Sequence, residues 1–538
     1  MKALAQRVER LEGWFVLLSG WPRNLVALLA GAISAMAMAP FDLFFLLFLT
    51  IPILIWLIDG ASSEPATAFS SKLYEGFKPG FFFGFGYFLA GIWWVANALL
   101  VDADIFAWAA PLAIILIPAA LGIFWGCATS IARLFWFGEF RRIFMLSACL
   151  MLFEYLRGFV ATGFPWNTIS YAALVNPITM QSASVLGIYG LTAFVVLIAA
   201  LPVNLLNVSA SLPLKRYTMG LLWILLVTLH IGYGVWRLDH KETEFAEGVS
   251  LRLVQPAIVQ ADKFDPTREA EIFKRYLDLS TSENDGKMLS EVTHLIWPES
   301  VFPFLLTERR DALSAIAAML PDGTSLITGA ARAELAGASG GENLIFNSVY
   351  VIDHEGIIVS AADKVHLVPF GEYLPFQEFL EQYGFQQLTK VQGGFEPGAS
   401  RKLLSTGVGP MFLPLICYEI IFSGDIWHGG NRPGWILNLT NDAWYGYTPG
   451  PFQHERQAII RGVEEGLPVV RAANTGISGV YTPYGEAVAR LSLDEQGIID
   501  SQLPNGLKTT LHSVYGVYIF WSVLALFFVI GVIPSRKT

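Results

Sequence analysis

The apolar positions of this 538-residue chain are not spread evenly. Long runs almost free of charge fill most of residues 14–236, and one more closes the chain at 514–533. A helix needs about 20 apolar residues to cross the bilayer core. The runs near 24–40, 42–59, 79–99, 108–131, 143–160, 184–207, 217–236 and 514–533 are therefore read as eight spans. The first two share a short connection at Pro40. Residues 14–22 (WFVLLSGWP) are too short to cross alone and either lie at the interface or extend the first span.

Between 237 and 513 the pattern changes. VSLRLVQP (249–256), THLIWPES (293–300), TSLITGA (324–330), SVYVID (348–353), GIIVSAADK (356–364), MFLPLICYE (411–419), GWILNLTND (434–442) and LPVVRAAN (467–474) predict strands. Helical patterns fall between several of them, at 266–281, 307–319 and 453–465. Strands alternating with helices imply an α/β domain whose sheets are covered. The expected organisation is a polytopic membrane domain over 1–236, an α/β domain over 237–513, and a last span with a short tail over 514–538.

Composition strengthens the membrane reading. Only 15% of residues are charged, against about 25% in soluble domains, and mean hydropathy is +0.50. A net charge of −10 with no basic block excludes a nucleic-acid protein. Charge placement also orients the chain. Alternating the loops from an inside N-terminus puts Lys2, Arg7, Arg10, Arg23, Lys72, Lys78, Arg133, Arg141, Arg142, Lys215, Arg216, Arg536 and Lys537 on one side. The opposite short loops carry Asp42, Asp102 and Asp104, and 161–183 has no lysine or arginine. The positive-inside rule then makes both termini cytoplasmic and exports 237–513. AMA at Ala37–Ala39 resembles a signal-peptide cleavage site, but Pro40 would follow the cut.

Candidate chemistry centres on Cys417. Cys127 and Cys149 fall inside spans, so Cys417 is the one thiol outside, without a disulfide partner. Alone it reads as a packing residue; it lies, however, at the end of an apolar strand, where α/β folds present reactive side chains. A thiol needs a base. Glu299 in WPES is flanked by apolar LIWP and VFPF, and desolvation there would raise its pKa toward the range useful for proton transfer. Lys364 ends a strand in DKVHLVPFGEYLP (363–375), and its ammonium with the Tyr418 N–H suits an oxyanion. Taken singly, the glutamate is an ordinary helix cap and the lysine an ordinary solvated strand end.

Together these residues resemble the nitrilase (carbon–nitrogen hydrolase) superfamily, with its Glu-Lys-Cys triad on an α-β-β-α sandwich; here the order is Glu299, Lys364, Cys417. With the membrane half and the motifs LRGFVATGFPWN (156–167), WPES (297–300), KVHLVPFGEYLP (364–375), ICYEI (416–420) and NLTNDAWYG (438–446), the chain resembles the apolipoprotein N-acyltransferase family from about Arg23 to the last span. The resemblance implies acyl transfer from a membrane glycerophospholipid, through a Cys417 thioester, to the N-terminal amine of an S-diacylglyceryl-cysteine apolipoprotein. It further implies a multi-pass protein of the bacterial inner membrane. A monomer without cofactor is expected, and His294, His354, His366, His428 and His454 lack metal-ligand spacing, which predicts no metal. Glu372 is expected to hold the proton network beside Lys364; Glu419 either does similar work or begins the next helix.

Further contacts are expected from Glu154 and Arg157, spaced i, i+3 near the outer end of a span. Such charges pair structurally or line a functional cavity, and the following Phe164–Trp166 turn favours a role near the site. Trp93, Trp94 and Trp166 read as an aromatic belt, with Trp166 and Trp444 also candidate substrate contacts. Segment 375–398, carrying Phe376, Phe379, Tyr383 and Phe385, reads as a mobile lid that touches the outer leaflet. A membrane-tethered amidase acting on a small soluble amide is the alternative. A transporter would show repeats or broken helices, and the sequence shows neither. GASGG (337–341) matches a hydrolase pattern, but sits in a Gly/Ala loop and is set aside.

Overall fold

The computed structural model describes the chain except residues 1, 62–68, 139, 207–212, 242, 264, 335–342, 383–386, 390, 392, 425, 428–429 and 534–538. The GASGG stretch, Tyr383 and Phe385 thus lie outside the described residues. The chain forms two compact units: 1–95, 111–241 and 510–538 make the first, and 96–110 with 242–509 make the second.

In the first unit each apolar run falls on a helix: Gly20–Ala35, Leu47–Asp59, Phe69–Ile92, Ala110–Leu134, Arg141–Arg157, Ala183–Leu206, Pro213–Asp239 and Leu511–Val532. Among the described residues, five stretches are long and apolar enough to cross a membrane, namely Phe69–Leu100, Ala103–Leu134, Ala183–Pro202, Tyr217–Asp239 and Leu511–Val532. The apolar helix Phe44–Asp59 is shorter. Leu221, Ile224, Leu225 and Leu229 all face outward, a surface that suits lipid rather than water. Residues 14–22 neither form one interfacial piece nor extend one helix. They divide between a separate helix, Lys2–Leu17, and the start of Gly20–Ala35. The break falls at Gly20, whose φ of +60° is open to glycine at no steric cost. Helices Gly20–Ala35 and Phe69–Ile92 touch backbone to backbone: a Cβ on Gly31 would stand 1.9 Å from the Phe83 carbonyl oxygen. Small residues at such contacts are how membrane helices approach closely.

The second unit is built on two sheets. Its strands are β1 (Phe245–Gln255), β2 (His294–Ile296), β3 (Ser325–Glu334), β4 (Leu344–Ile352), β5 (Ile358–Asp363) and β6 (Phe412–Ile416). They continue with β7 (Trp435–Thr440), β8 (Val469–Ala473), β9 (Ser478–Tyr481), β10 (Ala487–Leu491) and β11 (Gly497–Pro504). One sheet runs β11-β1-β2-β3-β4-β5 and the other β10-β9-β8-β7-β6. In each, three neighbours are parallel, β1-β2-β3 and β6-β7-β8. Leu251, Leu253, Ile327 and Val349 from the first sheet share one buried core with Phe412, Ile416, Leu437 and Val470 from the second. The outer face of the first sheet buries Leu295, Leu326 and Tyr350 against Ile272 and Tyr276 of helix Glu269–Thr281 and Ile316 of helix Arg310–Met319. Helix Pro449–Glu465 lies on the other sheet, with Gly462 against Val469. This is the α-β-β-α sandwich that the resemblance implied.

Two details differ from the sequence reading. The last three strands went unread: β9 is only four residues, β10 is largely exposed, and β11 breaks its apolar pattern at Asp500–Gln502. The strand expected over 411–419 stops at Ile416, and Cys417–Ile421 is a 3₁₀ turn.

Candidate active site

The apolar part of LPLICYEIIF builds β6, whose five residues are all buried. Cys417 follows at once with φ +51°, in the left-handed region that costs a non-glycine residue about 1–3 kcal/mol. Glu419 supplies part of what holds it there. One carboxylate oxygen accepts from the Ile416 N–H at 2.8 Å. The other accepts from the N–H groups of Val365 and His366, at 3.0 and 3.1 Å. These bonds strap the Cys417 turn to the chain that follows Lys364.

Lys364 comes directly after β5, and its ammonium is 1% exposed. It lies 2.9 and 2.8 Å from the two Glu372 oxygens and 3.8 Å from Glu299 Oε1. Asn347 on β4 donates to both Glu299 Oε1 and Glu372 Oε1 at 2.9 Å. The Val368 N–H donates to Glu372 Oε2 at 2.9 Å. Glu372 is thus held by three donors, with the Lys364 ammonium against both of its oxygens.

The electrostatics follow from this packing. Burial raises the Glu299 pKa, with Lys364 pulling against it. Burial also works against the Lys364 ammonium, but Glu372 and then Glu299 outweigh it and hold the pKa up. The Cys417 thiol is pushed up to about 12, first by burial and then by the Glu299 charge, while Lys364 pulls it down. A thiol held that high keeps its proton at neutral pH unless a neighbouring base takes it.

Sequence reasoning missed two of these partners. Asn347 is an interior strand residue with no motif around it. Lys263, 1% exposed, donates to the Glu299 carbonyl at 3.0 Å. Its pKa is lowered to about 8 by burial, against the pull of Glu299 and Cys417. Flanked by Asp262 and Asp265, it reads as solvated. The usable signal was its place in the loop after β1, the parallel neighbour of the strand that leads to Glu299.

In the first unit, Glu154 and Arg157 are each 1% exposed and form an ion pair. Trp125 Nε1 donates to Glu154 at 2.6 Å, and Arg157 donates to the Phe164 carbonyl and, at 2.9 Å, to that of Trp166. The pair grips the backbone of the Phe164–Trp166 turn. Trp166 and Trp94 are each 1% exposed, with ring centroids 5.0 Å apart, so these two indoles are interior and do not belong to an aromatic belt. Trp93, 41% exposed, fits one. In the second unit Trp444 is half-buried, beside Tyr445, whose carbonyl accepts from Asn97 at 3.0 Å. Phe376 and Phe379 are exposed.

Family models match two parts of the chain: "Apolipoprotein N-acyltransferase N-terminal domain" over residues 30–201 and "Carbon-nitrogen hydrolase" over 295–510. An apolipoprotein N-acyltransferase of Brucella suis is 45% identical over 501 residues, covering 93% of both chains. That of Agrobacterium fabrum is 43% identical over 530 residues, covering 98% of both. The chain belongs to the apolipoprotein N-acyltransferase family. Among solved structures, an amidase from Nesterenkonia sp. is 17% identical with a TM-score of 0.32, covering 49% of this chain and 93% of that one. In this member of the N-acyltransferase family, Glu299, Lys364, Glu372, Cys417, Tyr418 and Glu419 all lie within the carbon–nitrogen hydrolase match. Lys263 precedes it.

Proposed function

We propose that the protein moves an acyl chain from a membrane glycerophospholipid to the N-terminal amine of an S-diacylglyceryl-cysteine apolipoprotein. The observation that carries this reading is the burial of Glu299, the Lys364–Glu372 pair and the Cys417 thiol in one site. Glu299 takes the Sγ proton, and the thiolate attacks the ester carbonyl. Lys364 and the Tyr418 N–H hold the oxyanion. Collapse breaks the ester C–O bond, the departing lyso-phospholipid oxygen takes the proton from Glu299, and a thioester remains. The apolipoprotein amine then attacks the thioester, gives its proton to Glu299 and leaves as an amide; the thiolate recovers that proton.

Both substrates are anchored in lipid, so a site held at the bilayer meets them at high effective concentration. The eight apolar helices, with lysine and arginine on one side, support a multi-pass protein of the bacterial inner membrane. In this arrangement 1–236 and 514–538 form the membrane part, both termini are cytoplasmic, and the catalytic part, 237–513, faces outward. Exposed Phe376 and Phe379 support a lid over 375–398 that touches the outer leaflet. Glu154 and Arg157 set the turn that carries Trp166, and Trp444 lines the substrate path. The protein acts as a monomer.

Phospholipid carrying a radiolabelled acyl chain tests this. The expected result is label on Cys417 that hydroxylamine removes and Cys417→Ala abolishes. Absence of label on active wild-type protein would overturn the reading and leave a membrane-tethered amidase.

A further inference from the structure

Beneath the nucleophile lies a polar cluster that the proton chemistry above does not use. Asn438 of β7, Asp442, His454 and Arg471 of β8 are at most 1% exposed. Buried ions are seldom the most stable filling for a core, so the direction of their hydrogen bonds is informative. Arg471 donates to Asn438 Oδ1, to Asp442 Oδ2 at 2.6 Å and to the Ile477 carbonyl at 3.1 Å. Asp442 Oδ1 lies 2.9 Å from both His454 Nδ1 and Thr440 Oγ1. The outermost members converge on one atom, the Cys417 carbonyl oxygen. His454 Nε2 is 3.2 Å from it and Asn438 Nδ2 is 3.4 Å from it, with Asn438 also donating to the Leu415 carbonyl at 2.9 Å. The Arg471 contact fixes the Asn438 amide with its nitrogen toward the carbonyls.

That carbonyl shares a planar peptide with the Tyr418 N–H, and in a trans peptide the two point in opposite directions. Holding the oxygen from behind therefore aims the N–H forward. Cys417 also sits at φ +51°, a conformation that persists only where its surroundings impose it. We propose that His454 and Asn438, braced by Arg471 and Asp442, are positioning residues that aim the Tyr418 N–H at the oxyanion by gripping the Cys417 carbonyl. This rests on the assignment of Cys417 as nucleophile and of that N–H as oxyanion donor.

Two substitutions divide the contacts of His454. Arg471 Nη2 lies 3.2 Å from His454 Nδ1, and with Nδ1 accepting there the ring proton sits on Nε2, facing the Cys417 carbonyl. His454→Asn places an amide where Nδ1 stood, keeping a partner for Arg471 but losing the carbonyl donor. His454→Gln places its amide nitrogen where Nε2 stood and can still donate to the carbonyl. The full-length protein in detergent is followed in two reactions of the same thiol. Single-turnover thioester formation builds an oxyanion; alkylation by iodoacetamide does not. Loss of an aligned oxyanion donor costs about 10²–10³-fold, so misalignment in His454→Asn is expected to slow acylation by about 10–100-fold. Alkylation should stay near the wild-type rate, and His454→Gln should recover most of the acylation. Equal loss in both reactions, equal loss in both variants, or full acylation by His454→Asn would overturn the proposal. If His454→Asn does not fold, Asn438→Asp removes a donor while keeping an oxygen for Arg471, and must show the same selective loss. Acyl transfer surviving in Cys417→Ala would instead sink the underlying assignment.

Discussion

In the proposed reaction, a thiol pushed up to about 12 must give its proton to a carboxyl whose pKa burial also raises. Glu299 must be ionised to accept the thiol proton. Thioester formation should therefore fall as pH drops through the raised Glu299 pKa, giving an acid limb above the usual glutamate value of about 4.3. Single-turnover rates against pH measure it; a limb at or below that value contradicts the raised pKa. The same shift fixes a sign for stability. A folded-state pKa above the unfolded one gives stability that is present below the unfolded pKa and is lost as pH rises through the folded pKa. Glu299→Gln avoids that loss, so at neutral pH it should raise the thermal unfolding midpoint while abolishing thioester formation, and the gain should shrink in acid. Lys364→Ala removes the proposed oxyanion donor and should slow acylation by at least about 10²-fold.

At the scale of elements, the sequence announced more than it explained. β6 was legible from its apolar run, and so was the cysteine at its end. Where the strand stops was not legible, because the stop is set by Glu419 bonding to Val365 and His366, far away in the chain. Lys263 was hidden for a related reason: its neighbours in sequence are charged, and its burial comes from the fold. In the membrane half, Glu154 and Arg157 were visible as a spaced pair, but their grip on the Phe164–Trp166 turn comes from how the chain folds back after the helix. Arg157→Ala strands Glu154 in the interior and should destabilise the protein by about 3–5 kcal/mol. Thermal unfolding in detergent checks it, and a variant as stable as wild type would show that the pair is dispensable.

At the scale of the whole molecule, every long apolar run falls on a helix, because a helix satisfies its backbone hydrogen bonds within its own segment. The assignment of 96–110 to the catalytic unit was not legible: those residues look like the end of one span and the start of another. The lid expectation is tested at Phe379, exposed on the catalytic unit. A photoreactive residue there and at position 376 should crosslink to lipid in membranes, and failure at both sites would remove the lid from the account.

The central claim is a covalent acyl-enzyme on Cys417. Mass spectrometry of protein taken directly from membranes tests it most directly. The account predicts an acyl mass on the peptide containing Cys417, absent from Cys417→Ala and removed by hydroxylamine. An unmodified Cys417 peptide in protein charged with phospholipid and competent for turnover, or an acyl group on another residue, would contradict it.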